Sequence, residues 1–152
     1  MKERIPLQII DGRLVLATVI ENRSLRISHK LMDFVIDTGS PDSYISDKDV
    51  RTLQIPTKNR PTVEDVGFGG TSFKQIEIPK MTMHILKEDK ANKEYHTLKV
   101  SLSALKTTKT NDKNKQIAQT LPSILGLDFL IEQKISLHVI LEEKIAYLEL
   151  EK

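Results

Sequence analysis

The pattern that most constrains this chain is a succession of short apolar runs, each cut off by a turn signal before it reaches helical length. Ile5–Ile10 and Leu14–Ile20 are split by Asp11-Gly12, a hairpin dipeptide. Leu31–Ile36 is a third run, and it stops at Asp37-Thr38-Gly39-Ser40-Pro41, where Gly and Pro break it. Residues 63–73 read as a hairpin with the glycine tip Gly67-Phe68-Gly69-Gly70. Ile76, Ile78, Met81, Met83 and Ile85 alternate around Pro79, and Leu98–Leu105 alternates again. Lys134–Leu141 and Ile145–Leu150 are two closing strands joined at Glu142-Glu143. Many short strands of this kind predict a mostly β barrel or sandwich with one or two short helices.

One helix is expected after Ser46, an N-cap placed three residues before Asp49, with Val50 and Leu53 as its apolar side and Ile55-Pro56 as its end. In Leu121–Ile131 a core strand is expected to turn into a helix after an internal glycine. Two segments are expected as loops. Lys87–Lys93 is charged and turn-like, and the lysine- and asparagine-rich Thr107–Gln116 reads as a solvated loop.

Composition excludes several function classes. The net charge of +2 is too small to make nucleic acid the main partner, and no aromatic residues interleave the 106–115 lysines to stack bases. With no cysteine, a disulfide framework and a thiolate metal site are ruled out. The four histidines, His29, His84, His96 and His138, are scattered without a pair at helical ligand spacing, so no metal and no cofactor is expected. Asp42, Asp47 and Asp49 lack the pattern of a calcium loop and read as turn and helix-start residues. The apolar part of MKERIPLQII is too short for a signal peptide, and no stretch approaches a bilayer span. The expectation is a cytoplasmic protein with no membrane partner. The initial Met and the lack of an obvious flanking domain point to a free-standing cellular protein.

The chemistry concentrates at Asp37. A carboxylate placed directly after an apolar strand needs hydrogen-bond partners. The tight turn offers the Gly39 N–H and the Ser40 hydroxyl, and glycine lets the backbone approach closely. The bland alternative is an ordinary Asx turn. The Gly67–Gly70 tip carries no Lys-Ser/Thr and is not a phosphate loop; its bare backbone suits hydrogen bonding to an extended peptide.

Order and spacing then carry a resemblance. FVIDTGSPDSYIS (34–46), the GFGG tip (67–70) and SILGLDFL (123–130) follow the order of retropepsin-like aspartic proteases, and LHVILEEKIAYLEL (137–150) is similar to that family's closing strands. The resemblance implies a small closed β-barrel-like fold, homodimeric, with residues 1–152 as one domain. It implies Asp37 as the catalytic aspartate and Thr38 as the residue whose hydroxyl ties two catalytic loops together. Gly39 and Ser40 complete the loop. Ile124, Leu125 and Gly126 brace it, and Val66, Gly67, Phe68, Gly69 and Gly70 belong to a flap over the substrate. Two features depart from viral members: Ser40 stands where alanine is common there, and Lys87–Thr120 is long.

Aspartic proteolysis needs two carboxylates sharing a proton, one as general base toward water and one as acid toward the carbonyl. The chain holds one Asp-Thr-Gly; Asp128 and Asp11 lack the motif. The second carboxylate is therefore expected from a second copy across a two-fold axis. The substrate is expected to be an extended peptide with large apolar side chains flanking the cut bond. Ser40 is expected to donate a hydrogen bond to Asp37 and shift activity toward acidic pH. The rival reading is a retropepsin-like dimer that binds peptides without cutting them.

Overall fold

Why the chain enters a sheet at all is set at Asp11-Gly12, where both residues adopt positive φ (50° and 73°), as a two-residue hairpin turn requires. This joins β1 (Lys2–Ile10) to β2 (Arg13–Asn22), with Ile10 opposite Arg13. The computed structural model describes residues 2–68, 70–87, 94–108 and 111–151, with Phe68 by its backbone alone.

β3 (Ile27–Ile36) runs antiparallel to β2, so that Val15 faces Val35. After the 37–43 loop come β4 (Tyr44–Ile45) and α1 (Asp47–Thr52). Ser46 caps α1 by accepting from the Asp49 N–H, as its spacing predicted. The hairpin of β5 (Thr62–Phe68) and β6 (Thr71–Glu77) follows, then β7 (Met81–Leu86), β8 (Tyr95–Val100) and β9 (Ser103–Thr107). The chain ends with α2 (Asp112–Thr120), β10 (Ile124–Leu125), α3 (Leu127–Glu132), β11 (Ser136–Ile140) and β12 (Ile145–Glu151).

The strand order is β11-β12-β1-β2-β3-β10-β4-β9-β6-β5, with β7 paired to β2 and β8 to β7. The main core gathers Phe34, Leu16, Ile20, Met81, Met83, Ile85, Leu125 and Phe129 among others. Each such side chain contributes about 1.5–3 kcal/mol by leaving water. The alternating residues Ile76, Ile78, Met81, Met83 and Ile85 are all buried. A smaller cluster of Tyr44, Phe73, Leu105 and Ala118 sits under the β5–β6 hairpin, with Val66 packed on it.

Two expectations are corrected. The sheet is mostly β but not closed, since β11 and β5 end the strand order without pairing to each other. β5 is exposed from Thr62 to Asp65, and a strand solvated on both faces gains little burial from closure. Among the described residues there are also three α-helices rather than one or two, because α2 forms in part of the segment read as a solvated loop. Asn111 caps it by accepting from the Asn114 N–H at 2.9 Å, and the buried residue of the helix is the small Ala118. So little apolar area is used that hydrophobic periodicity barely marks this helix. Residues 88–93 of the expected Lys87–Lys93 turn lie outside the described residues. The same holds for 109–110 of the expected loop.

Candidate active site

Asp37 follows the last residue of β3, where the strand leaves the sheet. The backbone does not stop pairing there. Val35 N–H donates to Ser123 O at 2.9 Å and Asp37 N–H donates to Leu125 O at 3.0 Å, so Ile124-Leu125 runs parallel to the strand end. The carboxylate is half-buried, and its Oδ1 accepts from the Gly39 N–H at 2.9 Å. Ser40 N–H donates to Asp37 O at 3.1 Å and closes the turn. Thr38 and Gly39 are exposed.

The loop is then tied to the chain around Gly126. Leu127 N–H donates to Ser40 O at 2.8 Å, and Asp128 N–H donates to Pro41 O at 3.2 Å. These bonds satisfy donors at the start of α3 that have no partner within the helix. A Cβ on Gly126 would lie 2.4 Å from both Ser40 O and Asp42 O. That crowding is the physical reason for a glycine after two aliphatic residues here.

Two supporting residues escaped the sequence reading. Ser43 Oγ accepts from the Gly126 N–H at 2.9 Å and donates to Asp128 Oδ1 at 2.5 Å, while Asp128 Oδ2 accepts from the Ser43 N–H at 3.2 Å. Asp128 Oδ1 also accepts from the Phe129 N–H at 2.7 Å. Asp128 thus joins the two segments that flank the Asp37 turn. Its sequence signal was an acidic residue in the first turn of a helix after a glycine. On the other side, Ser123 Oγ accepts from the Ser46 N–H and donates to Asp49 Oδ2 at 2.6 Å, linking β10 to α1.

The role expected of Ser40 is corrected. Its Oγ donates to Asp42 O at 2.7 Å, within the turn held by Pro41, and not to Asp37. Ser40→Ala is therefore expected to leave the pH profile of any Asp37-dependent activity unmoved. It lowers stability by about 1 kcal/mol, the usual worth of one such bond. Urea denaturation reads the second effect, and an acid-limb shift of half a pH unit or more would contradict the first.

The β5–β6 hairpin pairs Val66 with Phe73 and Phe68 with Thr71. Gly70 has φ +85°, a conformation that favours glycine, and Gly67 is exposed; Gly69 lies outside the described residues. Thr71 Oγ1 donates to Asn114 Oδ1 at 3.0 Å, so α2 buttresses the hairpin near its tip. At the base, the Tyr44 hydroxyl donates to Asp42 Oδ2 at 3.2 Å, and burial, followed by the Asp42 charge, pushes the phenol well above its ordinary range. A cavity of about 410 Å³ beside β3 is lined by Ile10, Asp33, Lys48 and Pro122 among others, but not by Asp37.

The fold has a solved counterpart. A retropepsin-like aspartic protease from Rickettsia conorii superposes with a TM-score of 0.56, covering 99% of this chain and 91% of that one at 14% sequence identity. The fold is retropepsin-like. No protein-family model matches the chain, and no curated protein matches it by sequence. In retropepsin-like terms, the strand-end turn at Asp37, the Ile124–Gly126 segment and the β5–β6 hairpin occupy one continuous stretch of sheet, β3-β10-β4-β9-β6-β5. Among the described residues, no helix is long and apolar enough to cross a membrane.

Proposed function

We propose that this chain is an aspartic endopeptidase whose active site forms between two copies. The observation that carries the reading is the Asp37 carboxylate, held by the Gly39 N–H at a strand end braced by Ile124–Leu125, in a retropepsin-like fold. Two Asp37 carboxylates brought side by side hold one proton between them. One takes a proton from the attacking water, and the other gives its proton to the carbonyl oxygen of the scissile peptide. Thr38 is exposed beside Asp37, available for a contact with the partner's loop. An extended peptide lies as an added strand under the Val66–Gly70 flap.

An apolar rim supports the dimer. By register, Asp37, the β1–β2 turn and the β11–β12 connection lie at the same end of their strands. Ile9, Ile10, Leu127, Ile140, Leu141 and Ile145 are all exposed there, Leu141 at 78%. Exposed apolar groups gathered on one edge mark an association surface. The terminal strands are already engaged within the chain: Lys2–Leu7 pairs with Ala146–Glu151, and β12 is flanked by β11 on its other side. The rim, rather than exchange of termini, is the proposed contact.

The test is sedimentation of the protein together with digestion of unfolded casein across roughly pH 3 to 8. The wild type is expected to dimerise and cleave. Leu141→Asp is expected to weaken the dimer at least about tenfold and to lose activity at low protein concentration. A wild type that cleaves as a monomer would refute the shared site, and one that dimerises without cleaving at any pH would favour the peptide-binding reading.

A further inference from the structure

At the far end of β2 the fold gathers three groups that are distant in sequence. β2 pairs with β7 so that Val19 faces His84, which puts Glu21 and His84 on the same face of the sheet. On the other side, the β2–β3 ladder slips between Ile20↔Lys30 and Asn22↔Ile27, leaving Ser28 and His29 opposite Glu21. This is a bulge, and bulges re-aim side chains. His29 sits there with φ +43°, a conformation that favours glycine. The result is His29 Nε2 at 3.0 Å from Glu21 Oε2, and His84 Nε2 at 3.3 Å from Glu21 Oε1. One ligand atom from each residue falls within 4.8 Å of the others.

We infer that Glu21, His29 and His84 form a binding site for a divalent transition-metal ion such as Zn²⁺. Three observations converge on this. The first is spacing: ligands about 2.0 Å from a tetrahedral ion stand about 3.3 Å apart, close to the two separations found here. The second is the state of His84. Its Nδ1 is hydrogen-bonded to Thr97 Oγ1 at 2.8 Å, which orients the ring, while its buried Nε2 makes no hydrogen bond despite facing Glu21. A ring nitrogen fixed through its opposite nitrogen is the usual arrangement of a metal-ligating histidine. The third is His29 itself, held at positive φ in the bulge, which brings its Nε2 to the same Glu21 carboxylate with its ring stacked 6.1 Å from that of His84.

Two imidazoles and one carboxylate leave a further coordination position for water. His29, His84, Val19 and Tyr95 line a shallow cavity of about 270 Å³, ample for one or two waters. The neighbouring groove, which Glu21 and His29 also border, carries Arg23, Arg26 and Lys80, and their charge opposes a cation. The site therefore binds an ion modestly rather than irreversibly. It lies eight residues along β2 from Arg13, about 26 Å from the end that holds Asp37. The ion would pin β2, β3 and β7 together and takes no part in peptide hydrolysis.

The experiment is calorimetric titration of the tag-free protein with Zn²⁺, with thermal unfolding as a second readout. Wild type is expected to bind one equivalent and to gain on the order of 5–10 °C in melting temperature at a hundredfold excess over Kd. His29→Gly suits the bulge backbone and is expected to fold at least as well as wild type. It is expected to lose at least about tenfold in affinity, since even outer partners of a metal are worth that much. His84→Asn is expected to lose binding as well, with circular dichroism confirming its fold. Absence of Zn²⁺ binding by wild type overturns the inference, and so does binding that survives His29→Gly.

Discussion

Asp37→Asn is expected to reduce cleavage of unfolded casein about a thousandfold or more, the scale of a lost general acid–base group. The substitution is isosteric. Its Oδ1 still accepts the Gly39 N–H that holds the side chain at 2.9 Å, so the turn and the fold survive. Loss of activity with an unchanged melting temperature would place the effect in chemistry rather than folding. Mixing sharpens the result. If each active site draws one carboxylate from each chain, wild type mixed with an equal amount of Asp37→Asn forms mostly defective pairs. The activity of a fixed amount of wild type then falls to roughly half, because only a quarter of the dimers hold two intact copies. An enzyme complete in one chain would keep full activity in the mixture, and that outcome would sink the shared-site reading.

Gly126→Ala is expected to cost about 3 kcal/mol or more, at the upper end of overpacking effects. The new methyl would stand 2.4 Å from two backbone oxygens, Ser40 O and Asp42 O, where neither neighbour is a flexible side-chain tip. Relief requires one segment to retreat by about 1 Å, given an ordinary carbon–oxygen separation of about 3.3 Å. Ser40 O accepts from Leu127 N–H at 2.8 Å, so retreat also loosens the bond that ties the Asp37 turn to α3. Gly67→Ala is the control: nothing lies within 4 Å of its added Cβ, and it is expected to change stability by no more than about 1 kcal/mol. Urea unfolding of both variants separates the cases. Equal, small losses would show that the 40–42 loop yields easily and that Gly126 is not a packing requirement.

Much of the fold was legible because it depends on short-range chemistry. Asp11-Gly12 encodes its own turn, since both residues tolerate positive φ. Ser46 and Asp49 encode the start of α1, and the alternation from Ile76 to Ile85 encodes which face is buried. The strand break at Asp37 and the strand-to-helix switch at Gly126 were equally visible, because apolar runs and glycine mark them directly. α2 was not visible: a helix that buries one alanine and is held by a cap and by Thr71 leaves almost no periodic trace. Ser40 was assigned the wrong partner because sequence distance favoured Asp37, whereas the turn geometry delivers its hydroxyl to Asp42 O. Charge pairs were equally hidden: Lys87 at 3.0 Å, with His96 behind it, holds the Glu3 carboxyl below its ordinary range, across more than eighty residues of chain.

The sequence by itself determined the β-rich pattern, the isolated Asp-Thr-Gly turn and the glycine-tipped hairpin, since each is a local consequence of side-chain volume, backbone freedom and polarity. Tertiary structure alone decided which distant groups meet. It placed Ser43 against Asp128, Gly126 under the 40–42 carbonyls, and His29 beside His84 and Glu21. The physical reason is register: pairing β2 with both β3 and β7, and inserting one bulge, fixes side-chain positions to a few ångströms, a selection no local pattern of residues encodes.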